Sequence, residues 1–586
     1  MSRPRLLSFA AAVASGLLLA AALPLVVRFI SLRQLDAAGH LELVAWVALV
    51  PAFLALRGCT SARRAALLGL ATGVVYFAAA IHWVSHAMTA FGGLPLAFAV
   101  FALGLLVLFM AAHWALVFGA AAYIRLRAGW PLWAHLPPLW VGGELLRNHL
   151  FSGFPWADVG YTQARTLPVA QLAALVGVYG IAALVVAVNA VVAELLAALL
   201  RRPARAPLPL RPAAATAAAL AAVLAYGTLH LRAVRRATAA APTLKVGVVQ
   251  PNVDQSTKNT RLQHLDYILS RLVPPTVEAD RRGADLVVWP EAAYPLEVPP
   301  DLATLAVNGA GVPPLERAHL LVGASTLRWV RDEEGHRAPL IGNAQFLLAP
   351  DLHVLGAYQK LHLVPFGEYV PEAVRVLLPF VKQLVPGMAA AQPGRAATIL
   401  SFEAATGAGD ATRRVRLAPL ICYDAIFPEI PRAFTRQVPP PDLLVNPTND
   451  AWYGYSSGPY QFLAIVQLRA IEAGRAVVRP AYAGVSAVIL PSGELAPGAL
   501  DVGPVDPDLA PADEPPGLLL ADVPLLGGET IYTRVGDAFA DACALAGLAI
   551  LVAARIRGAK GSRRARTAAA AAPAMRAGAD LRRDLR

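Results

Sequence analysis

Leu286-Val-Val-Trp-Pro-Glu291 is an apolar run that stops at a proline and leaves a carboxylate just beyond it. Short apolar runs bounded by turn-forming residues read as buried strands. Leu244 to Val249 is a second such run, and a helix-compatible stretch from Lys258 to about Arg282 separates the two. The unit is therefore strand, helix, strand. Similar runs follow at His319 to Gly323, Ala344 to Leu348, Val354 to Lys360, Val415 to Cys422 and Leu443 to Asn446. They predict an α/β domain with buried strands, in which functional residues gather at strand ends.

Three strand ends carry unusual polar residues. Leu286 to Glu291 ends in a carboxylate, Tyr358-Gln-Lys360-Leu-His362 in an amine, and Leu420-Ile-Cys-Tyr-Asp424 in a thiol. Each alone has an ordinary reading: a helix N-terminal carboxylate, a surface charge, a buried filler thiol. Together they form an activated-nucleophile set. The carboxylate takes the thiol proton, the thiolate attacks a carbonyl, and the ammonium stabilises the resulting oxyanion.

The rest of the chain explains where such a domain would work. Of 586 residues, 57% are hydrophobic and 15% charged, and the mean hydropathy is +0.52, too apolar for an ordinary soluble enzyme. Stretches long enough to cross a hydrocarbon core occur at about 6–27, 41–56, 65–84, 95–123, 130–146, 168–200, 212–231 and 538–554. About eight crossings are expected, the fifth interrupted by Pro137 and Pro138. The expected organisation is a helical membrane region over 1–240 with about seven spans, a catalytic domain over 241–532, a last span over 533–557, and a disordered basic tail over 558–586.

Loop charge orients these spans. Arg3 and Arg5, then Arg57, Arg63 and Arg64, then Arg125 and Arg127, then Arg201, Arg202, Arg205 and Arg211, and finally the tail all fall on one side. By the positive-inside rule that side is the cytoplasm, so the globular domain is expected to be periplasmic. The net charge is +12, but ten Arg or Lys from Arg555 onward, against Asp580 and Asp584, supply much of it. A terminal basic block beside an apolar segment reads as a retention signal or lipid contact, and nucleic-acid binding is not expected. Of three cysteines, Cys59, Cys422 and Cys543, only Cys422 lies in the globular region, which excludes a disulfide within that domain.

The trio Glu291, Lys360 and Cys422 resembles the nitrilase superfamily of carbon-nitrogen hydrolases. Trp289-Pro-Glu-Ala-Ala-Tyr-Pro295, Lys360-Leu-His-Leu-Val-Pro-Phe-Gly-Glu-Tyr-Val-Pro371 and Ile421-Cys-Tyr-Asp-Ala-Ile-Phe-Pro428 are similar to three signatures of the apolipoprotein N-acyltransferase family. The resemblance continues in Asn449-Asp-Ala-Trp-Tyr-Gly454, Gly458-Pro-Tyr-Gln461, Arg469-Ala-Ile-Glu472 and Gly474-Arg475. In the apolar part it covers Glu144-Leu-Leu-Arg147, Phe154-Pro-Trp156 and Gly160-Tyr-Thr-Gln163, and near the end Tyr532-Thr-Arg-Val-Gly-Asp537.

The resemblance implies a membrane α-helical bundle joined to a nitrilase-like αββα sandwich. It implies Glu291 as general base, Lys360 as oxyanion stabiliser and Cys422 as nucleophile, with Glu368, Tyr423 and Asp424 supporting. It further implies a multi-pass protein of the bacterial inner membrane, acting as a monomer without metal or cofactor. The acyl donor would be a membrane phospholipid and the acceptor the free amine of a diacylated apolipoprotein. Departures from the family pattern are Asp424, where Glu is usual after Cys-Tyr, Asn259, where Trp commonly follows Lys258, and Phe462, where His is expected after Gln461. His82, His86, His113 and His135 lack ligand spacing and read as packing or interfacial residues, while Trp83, Trp130, Trp133 and Trp156 suit a membrane interface. Rival readings are a membrane-tethered amidase and a non-catalytic lipid-binding scaffold.

Overall fold

A computed structural model describes residues 3–24, 40–90, 93–200, 208–305, 311–331, 336–365, 367–369, 391–405, 412–454, 456–501 and 515–559. Most of the tail expected over 558–586, and residues 366, 370 and 371 of the Lys360 motif, lie outside them.

The apolar stretches are helices. Seven of those described are long and apolar enough to cross a membrane: Arg5–Ala22, Leu41–Gly58, Ala62–Ala80, Leu96–Ala128, Ala173–Leu200, Leu210–Ala240 and Ala538–Ala559. The Leu96–Ala128 helix has 33 residues, about 50 Å at 1.5 Å per residue, well beyond a hydrocarbon core of about 30 Å. It ends at Gly129, whose φ of 73° suits glycine. The expected span 168–200 is instead a short Leu167–Ala170 helix followed by Ala173–Leu200, which breaks at Val176 and Gly177.

The expected fifth span is not among the seven. Its helix, Leu136–His149, has only 14 residues, about 21 Å, because Pro137 and Pro138 confine it to a late start. It still runs from one end of the bundle to the other. Near its start, the Leu132 N–H donates to Glu194 Oε1 at 3.1 Å, and Glu194 also accepts from Arg57 at 2.8 Å. At its far end, the Arg147 guanidinium pairs with Asp158 and lies over the Phe77 ring, while Asn148 donates to Asp158 Oδ2 at 2.8 Å. Arg57 closes one helix and Phe77 nearly closes the next, so these anchors mark opposite ends.

Among the described residues the globular part contains thirteen strands: β1 (Thr243–Gln250), β2 (Leu286–Val288), β3 (Tyr294–Val298), β4 (His319–Arg331), β5 (Arg337–Leu348), β6 (Val354–Gln359), β7 (Leu400–Ala405), β8 (Thr412–Pro419), β9 (Leu443–Val445), β10 (Val477–Arg479), β11 (Val485–Ile489), β12 (Leu500–Asp501) and β13 (Gly517–Pro524). One sheet has the order β13-β1-β2-β4-β5-β6, with β3 beside β4, and the other β12-β11-β10-β9-β8-β7. Side chains alternate across the first sheet with the period of two that strands impose. Leu286 and Val288 join the core shared with Leu417 and Val445 of the second sheet, whereas Val287 and Val249 pack beneath Ile268 and Leu272 of the Leu265–Arg281 helix. On the other outer face the Gly458–Ala473 helix packs on β11. The result is the expected αββα sandwich. The stretch expected as one helix from Lys258 is two, Gln255–Asn259 and Leu265–Arg281.

The sandwich covers one end of the bundle. Trp156 Nε1 donates to Gln461 Oε1 at 2.7 Å, Gln461 Nε2 to the Ala80 carbonyl at 3.1 Å, and the Val178 N–H to Glu472 Oε1 at 3.1 Å. This corrects the interfacial reading of two tryptophans. Trp83 and Trp156 are buried, packed against Tyr453 with ring centroids 4.7 and 6.0 Å away, because the globular domain packs over them.

Candidate active site

Strand direction gathers the polar ends. β2 and β4 are parallel, β5 runs against β4, and β6 runs against β5, so β2 and β6 point the same way. Residues just beyond both strands, Glu291 and Lys360, therefore meet at one edge. Lys360 Nζ lies 2.9 Å from Glu291 Oε1 and 3.0 Å from Glu368 Oε1. Asn343 in β5 donates its amide to Glu291 Oε1 at 2.8 Å, and the Val364 N–H donates to Glu368 Oε2 at 2.8 Å.

Cys422 approaches from the second sheet. It follows β8 at the start of a one-turn 3-10 helix, Cys422–Ile426, with φ of 46°, a left-handed conformation that costs a non-glycine residue about 1–3 kcal/mol. Its own N–H donates to the Pro447 carbonyl at 2.8 Å, and Thr448 Oγ1 lies 3.3 Å from Sγ as a donor. The turn brings the thiol into the field of Glu291, whose negative charge acts on it.

The electrostatics follow from burial and pairing. Burial opposes the charged form of Lys360, but Glu291 and Glu368 outweigh it and hold the ammonium well above its ordinary range. Burial likewise pushes Glu291 up, and the Lys360 charge and hydrogen bond more than offset it, so the carboxyl titrates below its usual value. Burial pushes the Cys422 thiol up, the Glu291 charge adds to this, and Lys360 and Thr448 pull back only partly. At rest the site thus holds a neutral thiol beside a carboxylate–ammonium pair.

Of the residues singled out in the sequence, Glu291, Lys360, Glu368 and Cys422 converge. Tyr423 is buried beside them, its ring 6.4 Å from Phe154 and 5.1 Å from Phe427. Asp424 is turned elsewhere. It accepts from Tyr358 Oη at 2.8 Å and from the N–H groups of His362 at 2.7 Å and Ile421 at 3.0 Å, tying the nucleophile turn to the loop after Lys360. Two departures also find physical places. Phe462 is fully buried, its ring tilted against Trp156 at 5.6 Å and under the Arg479 guanidinium at 4.9 Å. Asn259 is exposed and is hydrogen bonded to the Gln255 amide at 2.8 Å.

Sequence reasoning passed over Asn343, Thr448 and Lys258. Asn343 lies inside a strand, with no motif to mark it. Lys258 enters the sequence pattern only as the neighbour of Asn259, yet its Nζ donates to the Glu291 carbonyl oxygen at 3.0 Å.

The comparisons agree with this architecture. Residues 9–191 match the family described as apolipoprotein N-acyltransferase N-terminal domain, and residues 245–503 the carbon-nitrogen hydrolase family. An apolipoprotein N-acyltransferase of Geobacter metallireducens is 36% identical over 519 residues, covering 88% of this chain and 91% of that protein. The chain belongs to the apolipoprotein N-acyltransferase family. Other members of that name, from Bradyrhizobium diazoefficiens and Shewanella oneidensis, are 34% and 31% identical, covering 71% and 80% of this chain and 72% and 83% of their own lengths. A solved amidase of Nesterenkonia sp. is 20% identical, with a TM-score of 0.31 over 52% of this chain and 96% of its own. As a family member the chain is a membrane enzyme whose acyl acceptor is a lipoprotein, built on a carbon-nitrogen hydrolase domain suited to transfer through a thioester.

Proposed function

We propose that the chain moves an acyl group from a membrane phospholipid to Cys422 and then to the α-amino group of a diacylglyceryl N-terminal cysteine. The observation that carries this reading is the buried Glu291–Lys360 pair at 2.9 Å, set beside a thiol held in a strained strand-end turn. In the first half-reaction Glu291 takes the thiol proton as Sγ bonds to the ester carbonyl carbon. Lys360 stabilises the oxyanion, with the Tyr423 N–H as second donor. The carbon–oxygen bond to glycerol then breaks, Glu291 returns the proton to the leaving oxygen, and lysophospholipid departs. In the second half-reaction the amine attacks the thioester, a carbon–nitrogen bond forms, Glu291 takes a proton from nitrogen, and Sγ leaves and is reprotonated.

Glu368 shares Lys360 with Glu291 and fixes its direction, Tyr423 frames the acyl site toward Phe154, and Asp424 braces the nucleophile turn. The enzyme works as a monomer in the bacterial inner membrane, with its catalytic domain on the periplasmic face where the lipoprotein amine is presented. A tethered amidase would need one apolar helix, whereas this domain rests on a bundle of them.

Incubation with phospholipid alone should yield a hydroxylamine-sensitive acyl adduct on Cys422, absent in Cys422→Ala. Adding a diacylglyceryl peptide should discharge the adduct and give a third acyl chain in amide linkage. Rapid release of free fatty acid with no acylated peptide would instead identify a lipid hydrolase.

A further inference from the structure

We propose that Lys258 is a positioning residue of this active site: its ammonium holds the backbone of Glu291 and supplies the second positive charge that balances the Glu291 and Glu368 carboxylates. The proposal deepens the function above and rests on Glu291 being the base.

The geometry is specific. Lys258 is the penultimate residue of the one-turn Gln255–Asn259 helix after β1, which Asp254 caps by accepting from the Thr257 N–H at 2.9 Å. Its side chain turns inward and is buried. Nζ donates to the Glu291 carbonyl at 3.0 Å and lies 4.0 Å from the centre of the Tyr482 ring. The Asn449 amide, with its oxygen toward Lys258 and Trp452, accepts from Nζ at 3.2 Å and from Trp452 Nε1 at 3.0 Å. Asn449 is next to Thr448, which contacts the thiol. Lys258 therefore links the base turn to the segment behind the nucleophile.

The Glu291 turn needs such a hold. Ala292, directly after Glu291, has φ of 45°, so the backbone there is strained. A buried carbonyl left without a donor costs about 1–3 kcal/mol, and relaxation of the turn would swing the carboxylate off Lys360.

Charge gives an independent argument. Two carboxylates, Glu291 and Glu368, share the single ammonium of Lys360, which leaves one excess negative charge in a buried site. Lys258 cancels it. When the thiol proton moves to Glu291, the negative charge passes to the oxyanion and the balance is kept; without Lys258 the oxyanion would form beside an uncompensated Glu368.

The groups facing Lys258 are Glu291, Lys360, Cys422 and Arg261, with Tyr482 against its charge. Arg261 is itself paired with Glu297 at 2.9 Å. Burial pushes the ammonium down, Glu291 opposes that, and the net value is about 8. Since the charged form is the working one, formation of the acyl-enzyme should decline as pH rises through about 8. The half-reaction with phospholipid alone isolates this effect, because no acceptor amine is present to titrate.

The test measures acyl-Cys422 formation from phospholipid between pH 6.5 and 10 for the full-length protein, Lys258→Met, Lys258→Arg and Glu291→Gln, with thermal melts alongside. We expect an alkaline decline in the parent protein and a rate about 10²-fold lower without that decline in Lys258→Met. Lys258→Arg should recover much of the rate, with its decline moved to higher pH. A flat alkaline profile in the parent protein, or a Lys258→Met profile that overlays the parent's, overturns the proposal, and the parent measurement stands even if a variant fails to fold. Substantial activity in Glu291→Gln would instead overturn the underlying assignment of the base.

Discussion

Glu291 both activates Cys422 and keeps it protonated at rest, since its negative charge, after burial, is the main influence raising the thiol. The two roles separate under a probe that needs no general base. Glu291→Gln removes the charge while Lys360, which lowers the thiol, remains, so the thiol should become more acidic. We expect Glu291→Gln to react with a small alkylating agent at pH 8 faster than the parent protein, while losing about 10²-fold or more in acyl transfer. Thiol alkylation followed by mass spectrometry decides this; a slower reaction in the variant would mean that Glu291 extracts the proton even at rest. Lys360→Ala should fold and lose about 10²-fold in rate, as for loss of an oxyanion partner, measured as amide product per unit time.

Strands deliver these residues, and the delivery depends on close backbone approach. Gly323 in β4 lies directly behind the Glu291 turn. A Cβ there would meet the Pro290 carbonyl oxygen and come within 2.7 Å of both Ala292 N and Gln345 Nε2. Two of these are backbone atoms of the turn itself, so the added methyl cannot be absorbed by rotating a side chain. Gly323→Ala should destabilise the protein by about 1–3 kcal/mol through overpacking and lower activity further by displacing Glu291. A thermal melt together with acyl-enzyme formation checks both, and an unchanged rate would show that the turn tolerates displacement. The Leu136–His149 helix makes a related point, because a stretch too short to count as a span by length still joins the two ends of the bundle through Leu132 and Arg147.

That short helix bears on the topology of the entire chain. With it, seven traverses precede β1 and one follows β13; without it, the domain and the C-terminal segment would exchange sides. Arg57, Arg63, Arg64, Arg125 and Arg127 lie at the bundle end away from the sandwich, where Arg125 hydrogen bonds the Cys59 carbonyl; on the orientation proposed above, the positive-inside rule assigns that end to the cytoplasm. A reporter fused near Gly407 should be active only in the periplasm, and one at Arg557 only in the cytoplasm. The reverse pattern would put the chemistry on the wrong side for a lipoprotein amine.

Much of this is legible in the sequence. Apolar runs ending in Glu291, Lys360 and Cys422 carry both the strand assignment and the chemistry: burial on both faces keeps β2 continuously apolar, and a polar residue ending an apolar run is conspicuous even on the half-exposed edge strand β6. Span lengths likewise announce the membrane part, since a bilayer of fixed thickness leaves few alternatives. What the sequence could not express is partnership across long separations. Lys258 reaches a backbone carbonyl 33 positions away, Asn343 a carboxylate 52 positions away, and Asp424 a tyrosine 66 positions away, with no local pattern marking any of them. Trp83 and Trp156 read as interfacial until the sandwich was seen to cover them. Local periodicity records which face of an element is buried; only the packing of distant elements decides what buries it, and therefore which charges meet.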